Sequence, residues 1–336
     1  MIKLAMIGLG NQGQEHLAAA KMCQHACFVA GMDASADTVR RTAERYPDLW
    51  LTTSVDELLN PANKLDGMVM ALPHHIYPEV MGKVIQAGLP ILKEKPLART
   101  MEEAREFIRM ATRGKVVLQT AIQRRTHPSY RFLKQAIAAT TVLQADFALN
   151  LGIARVPGAE NWRTERTRSG GGALLDCGYH MVDLALFLLG DFDLVSATVF
   201  RDGRPCATKE VDDAFMMTAR RNTTWFTLQA RVYNDADTVR PDGYPKREEC
   251  RVQAENGYWR ADRAGVIWHP NQGPAEVLMT CAKEWESAMA KQLDDFALNL
   301  SRGEQAQTDV LWEQQPAQQL IQQGYQLAFN WHGGAR

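Results

Sequence analysis

Asp176 is followed by His180 four residues later and Asp183 seven residues later, inside "GGGALLDCGYHMVDLALFLLG", residues 170–190. A carboxyl group and an imidazole at that spacing can exchange a proton with a ligand. At about 3.6 residues per turn the three side chains share one stripe of a helix. Leu175, Met181, Val182, Leu186 and Leu189 cover the rest of its circumference, as in a buried helix. Burying such groups without hydrogen bonds costs several kcal/mol, so the stripe must face a partner. Two readings are open from these residues alone: a satisfied core network that orients the helix, or an acid–base pair turned to a ligand. The glycines just upstream let another part of the chain, or a ligand, approach the helix start.

A second cluster opens the chain. Gly8, Gly10 and Gly13 form GxGxxG after the apolar run "IKLAMIG" and at the head of a helical pattern. The first glycine permits the turn, the second lets backbone approach a pyrophosphate, and the third seats the helix, whose N-terminus favours the negative charge. Asp33 ends the next apolar run, 33 − 13 = 20 residues further on. A carboxylate there takes a ribose 2′-hydroxyl and repels a 2′-phosphate, which makes NAD the expected cofactor and NADP the less favoured one. Arg40 and Arg41 are the cations that would speak for NADP.

"LPHHIYPE" follows the run "GMVMAL", and "KEKPLA" overlaps the end of "LPILKE". Both lie at carboxyl ends of expected parallel strands, the edge at which open α/β sheets bind ligands. Lys95, before Pro96, is either an exposed turn lysine or an ammonium aimed beside a nicotinamide, and His75 is assigned to the cofactor cleft.

The elements that must position these groups follow from periodicity. The chain has 336 residues, 46% of them hydrophobic, more than one core usually serves. Over the first third, short apolar runs alternate with helical patterns, which means βαβ units and a doubly wound parallel sheet, a Rossmann domain over residues 1–123. From residue 124 a helix near "PSYRFLKQAIAA" is followed by "TVLQADFALNL", the glycine-led helix, and the strand-like runs "LVSATVFR", "AFMMTAR", "WFTLQARV", "ECRVQAE" and "YWRAD". Asn256-Gly257 signals a two-residue hairpin. With the helical tail from Cys281, residues 124–336 read as an α+β domain with a largely antiparallel open sheet. The polar stretch 233–249 is a loop, either a solvated connection or a wall of the active site.

Composition narrows the partners. Thirty-eight basic and 39 acidic residues give a net charge of −1, which argues against nucleic acid and against a charge-driven membrane surface. The apolar run 184–189 is bounded by Asp183 and Asp191, far short of the roughly 20 residues a bilayer requires. Six scattered cysteines and an opening without a cleavage site suggest reduced thiols in the cytoplasm. Cys23, His25 and Cys27 lie close together, but no second cluster completes a zinc site, so no metal is expected.

Taken in order, GxGxxG at 8–13, "EKP" at 94–96, "QRRTHPSYRFLK" at 123–134, "NWR" at 161–163 and the segment 170–190 resemble the Gfo/Idh/MocA family of oxidoreductases. That resemblance implies a Rossmann domain and an α+β domain whose open sheet often serves as an oligomer interface, hence a homodimer or homotetramer. It maps the family's proton-handling trio onto Lys95, Asp176 and His180, with Asp183 deeper and orienting the helix. Cofactor contacts are then Gly8, Gly10, Asn11, Gln12, Gly13, Asp33, Leu72, His75, Glu94, Lys95 and Gln123; Arg124, Trp162 and Arg163 join the trio around substrate. Tyr77, where many relatives have histidine, and Gln123, where many have asparagine, are departures. The implied activity is NAD-dependent interconversion of a secondary alcohol and a ketone on a sugar or polyol. An NAD-dependent glycosidase using transient oxidation, or a non-catalytic NAD sensor, remain the other classes.

Overall fold

In the computed structural model, which describes residues 1–152, 161–233, 247–281, 285–302 and 304–332, the alternating first third forms β1 (Ile2–Ile7), α1 (Asn11–Ala19), β2 (Ala26–Met32), α2 (Ala36–Arg45), β3 (Trp50–Thr52), α3 (Val55–Leu58), β4 (Gly67–Met70), α4 (Tyr77–Gln86), β5 (Ile91–Glu94), α5 (Met101–Gly114) and β6 (Leu118–Ala121). The six strands pair in parallel in the order β3-β2-β1-β4-β5-β6. Every residue of β4 and β5 is buried, as a sheet covered on both faces requires. The order reverses between β1 and β4, so their carboxyl ends flank a crevice, the switch point at which such sheets bind ligands. Short β3 lacks the apolar run that marks the other strands, and the sequence pattern misses it.

The chain continues as α6 (Pro128–Ile137), β7 (Val142–Gly152), α7 (Arg166–Ser169), α8 (Ala173–Asp176), α9 (Gly178–Leu189), β8 (Asp193–Arg201), β9 (Arg204–Pro205), β10 (Ala214–Arg221), β11 (Thr224–Tyr233), β12 (Arg247–Ala254), β13 (Gly257–Asp262), β14 (Gly265–Pro270) and β15 (Glu276–Thr280). Nine strands form one sheet in the order β15-β14-β13-β12-β7-β11-β10-β8-β9. All neighbours are antiparallel except β7 and β11, which run parallel. Along β11 Phe226, Leu228 and Ala230 are buried while Trp225 and Gln229 are exposed, the alternation of a sheet covered on one face. α8 packs on β10 and β11, and α9 on β7 and β11.

Two local expectations are corrected in this unit. The segment 170–190 is not one helix: α8 ends at Asp176 and α9 begins at Gly178, across a bend of 44°. Glycine is a weak helix former, and here a Cβ at Gly178 would lie 2.9 Å from the Phe215 ring. The hairpin exists, but Ala254 pairs with Gly257, so Glu255 and Asn256 are the turn residues. A Cβ at Gly257 would lie 2.3 Å from the carbonyl oxygen of His269; that residue is glycine because β14 passes close by.

The described chain ends with α10 (Trp285–Leu300) and α11 (Glu304–His332). The helical tail does not all belong with residues after 124. Met1–Thr126 and Trp285–Gln315 form one compact unit, and His127–Glu284 with Pro316–Arg336 form the other. Leu293, Phe296 and Ala297 of α10 join Leu4, Met6, Val69 and Leu92 of the parallel sheet, while Met289 and Ala290 meet Ala19 of α1. The Rossmann sheet thus gains a cover for apolar surface that its own α1–α5 leave open. Among the described residues no single helix is long and apolar enough to cross a membrane.

Candidate functional site

The first unit gathers most of its expected site residues at the carboxyl ends of its strands. Gly8 turns the chain out of β1 at φ +91°, and a Cβ there would lie 2.2 Å from the carbonyl oxygen of Ala71 beyond β4. A Cβ at Gly13 would lie 2.0 Å from the carbonyl oxygen of Gly8, whereas around Gly10 nothing stands within 4 Å. The glycine turn is therefore packed where protein backbone needs it and open where a pyrophosphate would approach. Asn11 and Gln12 are exposed, and Gly10 gives α1 no side-chain cap, leaving its first N–H groups for an anion.

Asp33 follows β2 beside this turn. Its Oδ2 accepts from Leu9 N at 2.8 Å and its Oδ1 from Ser35 N at 2.9 Å. Each oxygen keeps acceptor capacity, so this fixed, half-exposed carboxylate could take a ribose hydroxyl. Arg40 pairs with Asp37 and Arg41 with Thr38 along α2. Open backbone at Gly10, an uncapped helix and a fixed acid fit NAD.

After β5 the run 91–98 is buried at every position but Lys95, and the Lys95–Pro96 peptide is cis. Glu94, just before it, is buried, with Oε1 2.8 Å from His16 Nε2 and 3.0 Å from Gln123 Nε2, which donates to it. Burial alone would raise the Glu94 carboxyl; hydrogen bonds from His16 and Gln123 and the charges of His16 and Lys95 outweigh it and hold the acid below its ordinary value. Gln123 is itself buried and engaged with Glu94. The N–H of Leu72 donates to the Tyr77 hydroxyl at 3.1 Å. His75 is half-buried beside buried His74.

Two residues here, His16 and Lys93, escaped the sequence reading, in which Tyr77 stands only as a departure from the family pattern. His16 is fully buried on α1, three residues after Gly13 and so on the side that Gly13 seats against the sheet. Lys93 is 1% exposed inside β5, with Nζ 3.7 Å from the centroid of the Tyr77 ring. A charge in a central parallel strand was the available signal. Tyr77 is buried, donating to Met70 O at 3.0 Å.

In the second unit, Asp212 grips the start of α8. Its Oδ1 accepts from Gly172 N at 2.9 Å and its Oδ2 from Leu174 N at 2.7 Å, and its carbonyl oxygen accepts from Ala173 N. The Tyr325 hydroxyl donates to Asp212 Oδ1 at 2.7 Å and accepts from Gly172 N at 3.1 Å. Burial raises the Asp212 carboxyl above its ordinary value, against the lowering effect of these donors. A Cβ at Gly172 would lie 1.8 Å from Asp212 O. What comes close to the glycine run is thus protein.

So held, α8 ends at Asp176, whose Oδ2 lies 3.7 Å from Arg163 Nε. The Arg163 guanidinium lies 4.4 Å from the centroid of the Trp162 ring. His180 follows in the first turn of α9 and is half-buried, like Asp176, while Asp183 is wholly buried. The polar stripe is therefore graded, with two accessible groups and one in the core. Arg124 belongs to the first unit and is 1% exposed, its guanidinium 5.8 Å from the Trp285 ring centroid. Of the expected loop 233–249, residues 234–246 lie outside the described residues. Among the described residues no three His, Cys, Asp or Glu side chains could hold a metal ion.

Residues 2–122 match the family model described as the oxidoreductase family, NAD-binding Rossmann fold, and residues 134–260 match the GFO/IDH/MocA C-terminal domain. The chain is similar to a 1,5-anhydro-D-fructose reductase of Ensifer adhaerens, 29% identical over 64% of the chain and 65% of the relative. It is also similar to inositol 2-dehydrogenase 2 of Paenarthrobacter aurescens, 25% identical over 89% of the chain and 85% of the relative. Matches to two further curated relatives span only 57% and 52% of their lengths. Among solved structures, a levoglucosan dehydrogenase in complex with NADH and L-sorbose superposes with a TM-score of 0.79 at 19% identity, covering 98% of this chain and 97% of that one.

Proposed function

Because the chain belongs to the Gfo/Idh/MocA oxidoreductase family and carries its NAD-binding Rossmann fold, we propose that it interconverts a secondary alcohol and a ketone on a sugar or polyol. Two observations support this reading: the glycine turn after β1 is open at Gly10, and Lys95, after β5, is the one accessible position in the otherwise buried run 91–98. The names of relatives, an anhydrofructose reductase and an inositol dehydrogenase, support the substrate class.

NAD, when bound, supplies the hydride acceptor. The residues must handle the proton and the charge. An alcohol about as acidic as water, pKa ~15.7, would cost about nine units at ~1.36 kcal/mol each, or ~12 kcal/mol, to ionise at pH 7. General-base help is worth only about 10²- to 10⁴-fold, ~3 to 5 kcal/mol, so proton loss accompanies hydride departure. We assign His180 to take the hydroxyl proton, Lys95 to stabilise the developing oxyanion, and Asp176 to hold a substrate hydroxyl and tune the imidazole. Arg163 and Trp162, beside Asp176, are assigned to the substrate. Copies of the chain associate, in this reading, through the uncovered face of the nine-stranded sheet, which exposes Met216 and Trp225.

The test is a panel of myo-inositol, scyllo-inositol, D-glucose, 1,5-anhydro-D-glucitol and levoglucosan, each with NAD and with NADP, followed by nicotinamide absorbance. NADH formation from at least one polyol, faster with NAD, is expected. Sugar release from an aryl glycoside without net NADH would replace the dehydrogenase reading by redox-assisted glycoside cleavage. NAD binding with no turnover would leave the sensor reading.

A further inference from the structure

Strand β5 contains a lysine that the proposed chemistry does not use. Lys93 is 1% exposed, and its ammonium donates to Glu94 O at 2.9 Å and to Pro96 O at 2.5 Å. Those carbonyls belong to the residues on either side of Lys95. The remaining side of the ammonium lies against the Tyr77 ring, 3.7 Å from its centroid, a cation–π contact in a desolvated place. Tyr77 is in turn pinned, its hydroxyl donating to Met70 O and accepting from Leu72 N. A chain of direct contacts thus runs from the end of β4 through the Tyr77 ring and the Lys93 ammonium to the backbone that carries Lys95.

Resting on the assignment of Lys95 to the reacting oxygen, we propose that Lys93 is the positioning residue for Lys95, clamping both flanking carbonyls, and that the Tyr77 ring holds the clamp. Buried carbonyls demand donors. With Lys93 present these two accept from inside the fold; without it they lose that donor. A hydrophobic residue at position 93 would pack in β5 but could not do this. Tyr77 occupies the position where the family pattern commonly has histidine, and a phenol ring gives a lysine the flat, apolar face that an ionisable imidazole would not.

The charged groups facing Lys93 are Glu103 of α5 and Glu94, which favour its charged form, and Lys95, which disfavours it. Burial dominates and lowers the Lys93 amine to about 7. Both protonation states keep two N–H donors, enough for both carbonyls.

The experiment uses the full chain, wild type and Lys93→Met, Lys93→Gln, Tyr77→Leu, Tyr77→Phe and Lys95→Ala. Lysine-selective ¹³Cε NMR of the cofactor-free protein reads positions without turnover; loss of a resonance in Lys95→Ala assigns Lys95. The clamp requires a displaced Lys95 resonance in Lys93→Met and in Tyr77→Leu; the resonance lost in Lys93→Met assigns Lys93. In NADH formation from the panel polyol turned over fastest, Lys93→Met and Tyr77→Leu should lose at least about tenfold in kcat, with KM and NADH Kd within about threefold. Tyr77→Phe, which keeps the ring, and Lys93→Gln, which keeps donors, should recover most of that loss. If Lys93→Met fails to fold, Lys93→Gln and Tyr77→Leu decide alone: a Lys95 resonance unmoved in Tyr77→Leu overturns the proposal. Normal kcat in Lys93→Met beside a crippled Lys95→Ala overturns the clamp and leaves the function standing. Normal kcat in Lys95→Ala sinks the assignment of Lys95, while the displaced resonance still reports on the clamp.

Discussion

Asp33 and Asp212 are both held by backbone N–H groups, yet their surroundings give them different work. Asp33 is half-exposed, each oxygen accepting one such bond, and so retains capacity for a ribose. Asp212 is buried, and Gly172, Leu174 and Tyr325 share its oxygens; it fixes backbone. Replacing Asp33 by Ala removes a charged acceptor worth about 1.5–3 kcal/mol. NADH Kd, read by fluorescence titration, should rise roughly 10- to 100-fold while NADPH is affected less. Lys93 gives a pH signature. With its amine lowered from 10.5 to about 7 in the fold, the unfolded chain binds the extra proton between those values, so stability rises with pH across that window. Between pH 7 and 9, denaturant unfolding should show wild type gaining roughly 2–3 kcal/mol on Lys93→Met, at about 1.36 kcal/mol per unit. A constant difference would place the folded amine's titration above that window, near its ordinary value. The places of Gly8, Gly10, Gly13, Asp33 and Lys95 after β1, β2 and β5 were legible because motif and turn are local. His16, Asp212 and Tyr325 were not, since their partners lie 78, 40 and 113 residues away and periodicity carries no pairing information.

At the scale of elements, what the sequence hides is where a helix is interrupted and which strands lie at an edge. Central strands betray themselves by continuous or alternating apolar residues, and β1, β4, β5, β7, β10 and β11 were all legible on that ground. β3, β9 and β15 are outermost in their sheets, and β15 is almost wholly exposed; such strands need no apolar signature. The glycine-led segment reads as one apolar helix because composition is continuous across Cys177 and Gly178. Its start depends on the Asp212–Tyr325 grip. Tyr325→Phe removes one hydroxyl and leaves Gly172 N short of one acceptor, a loss of about 1–3 kcal/mol that denaturant unfolding will read, and it should lower kcat more than it raises KM because α8 carries Asp176. Gly172→Ala is harsher: the Cβ would fall 1.8 Å from Asp212 O, so backbone must move. A variant as stable and active as wild type would remove the grip from the account.

Over the whole molecule, the two-part division was legible, but not its path. The sequence changes grammar near residue 124, whereas α10 returns to the first unit after more than 150 residues in the second. Helical patterning says only that α10 has an apolar face; it does not say which sheet needs it. The outer face of the nine-stranded sheet poses the same problem: Met216 and Trp225 on it are 56% and 50% exposed, and periodicity does not say whether a partner covers them. Met216→Glu with Trp225→Glu should shift sedimentation from a dimer or tetramer to a monomer without loss of folding; an unchanged mass would locate the assembly elsewhere. In the proposed reaction Lys95 and His180, 180 − 95 = 85 residues apart in the chain, assist one hydride transfer. The most direct measurement supplies the panel polyol turned over fastest, deuterated at its carbinol carbons, together with NAD, to wild type, Lys95→Ala and His180→Ala. The account predicts deuterium in the NADH formed and, in each variant, a rate at least about a hundredfold lower with NADH Kd within about threefold. Unlabelled NADH, or variants that turn over within about tenfold of wild type, would contradict it.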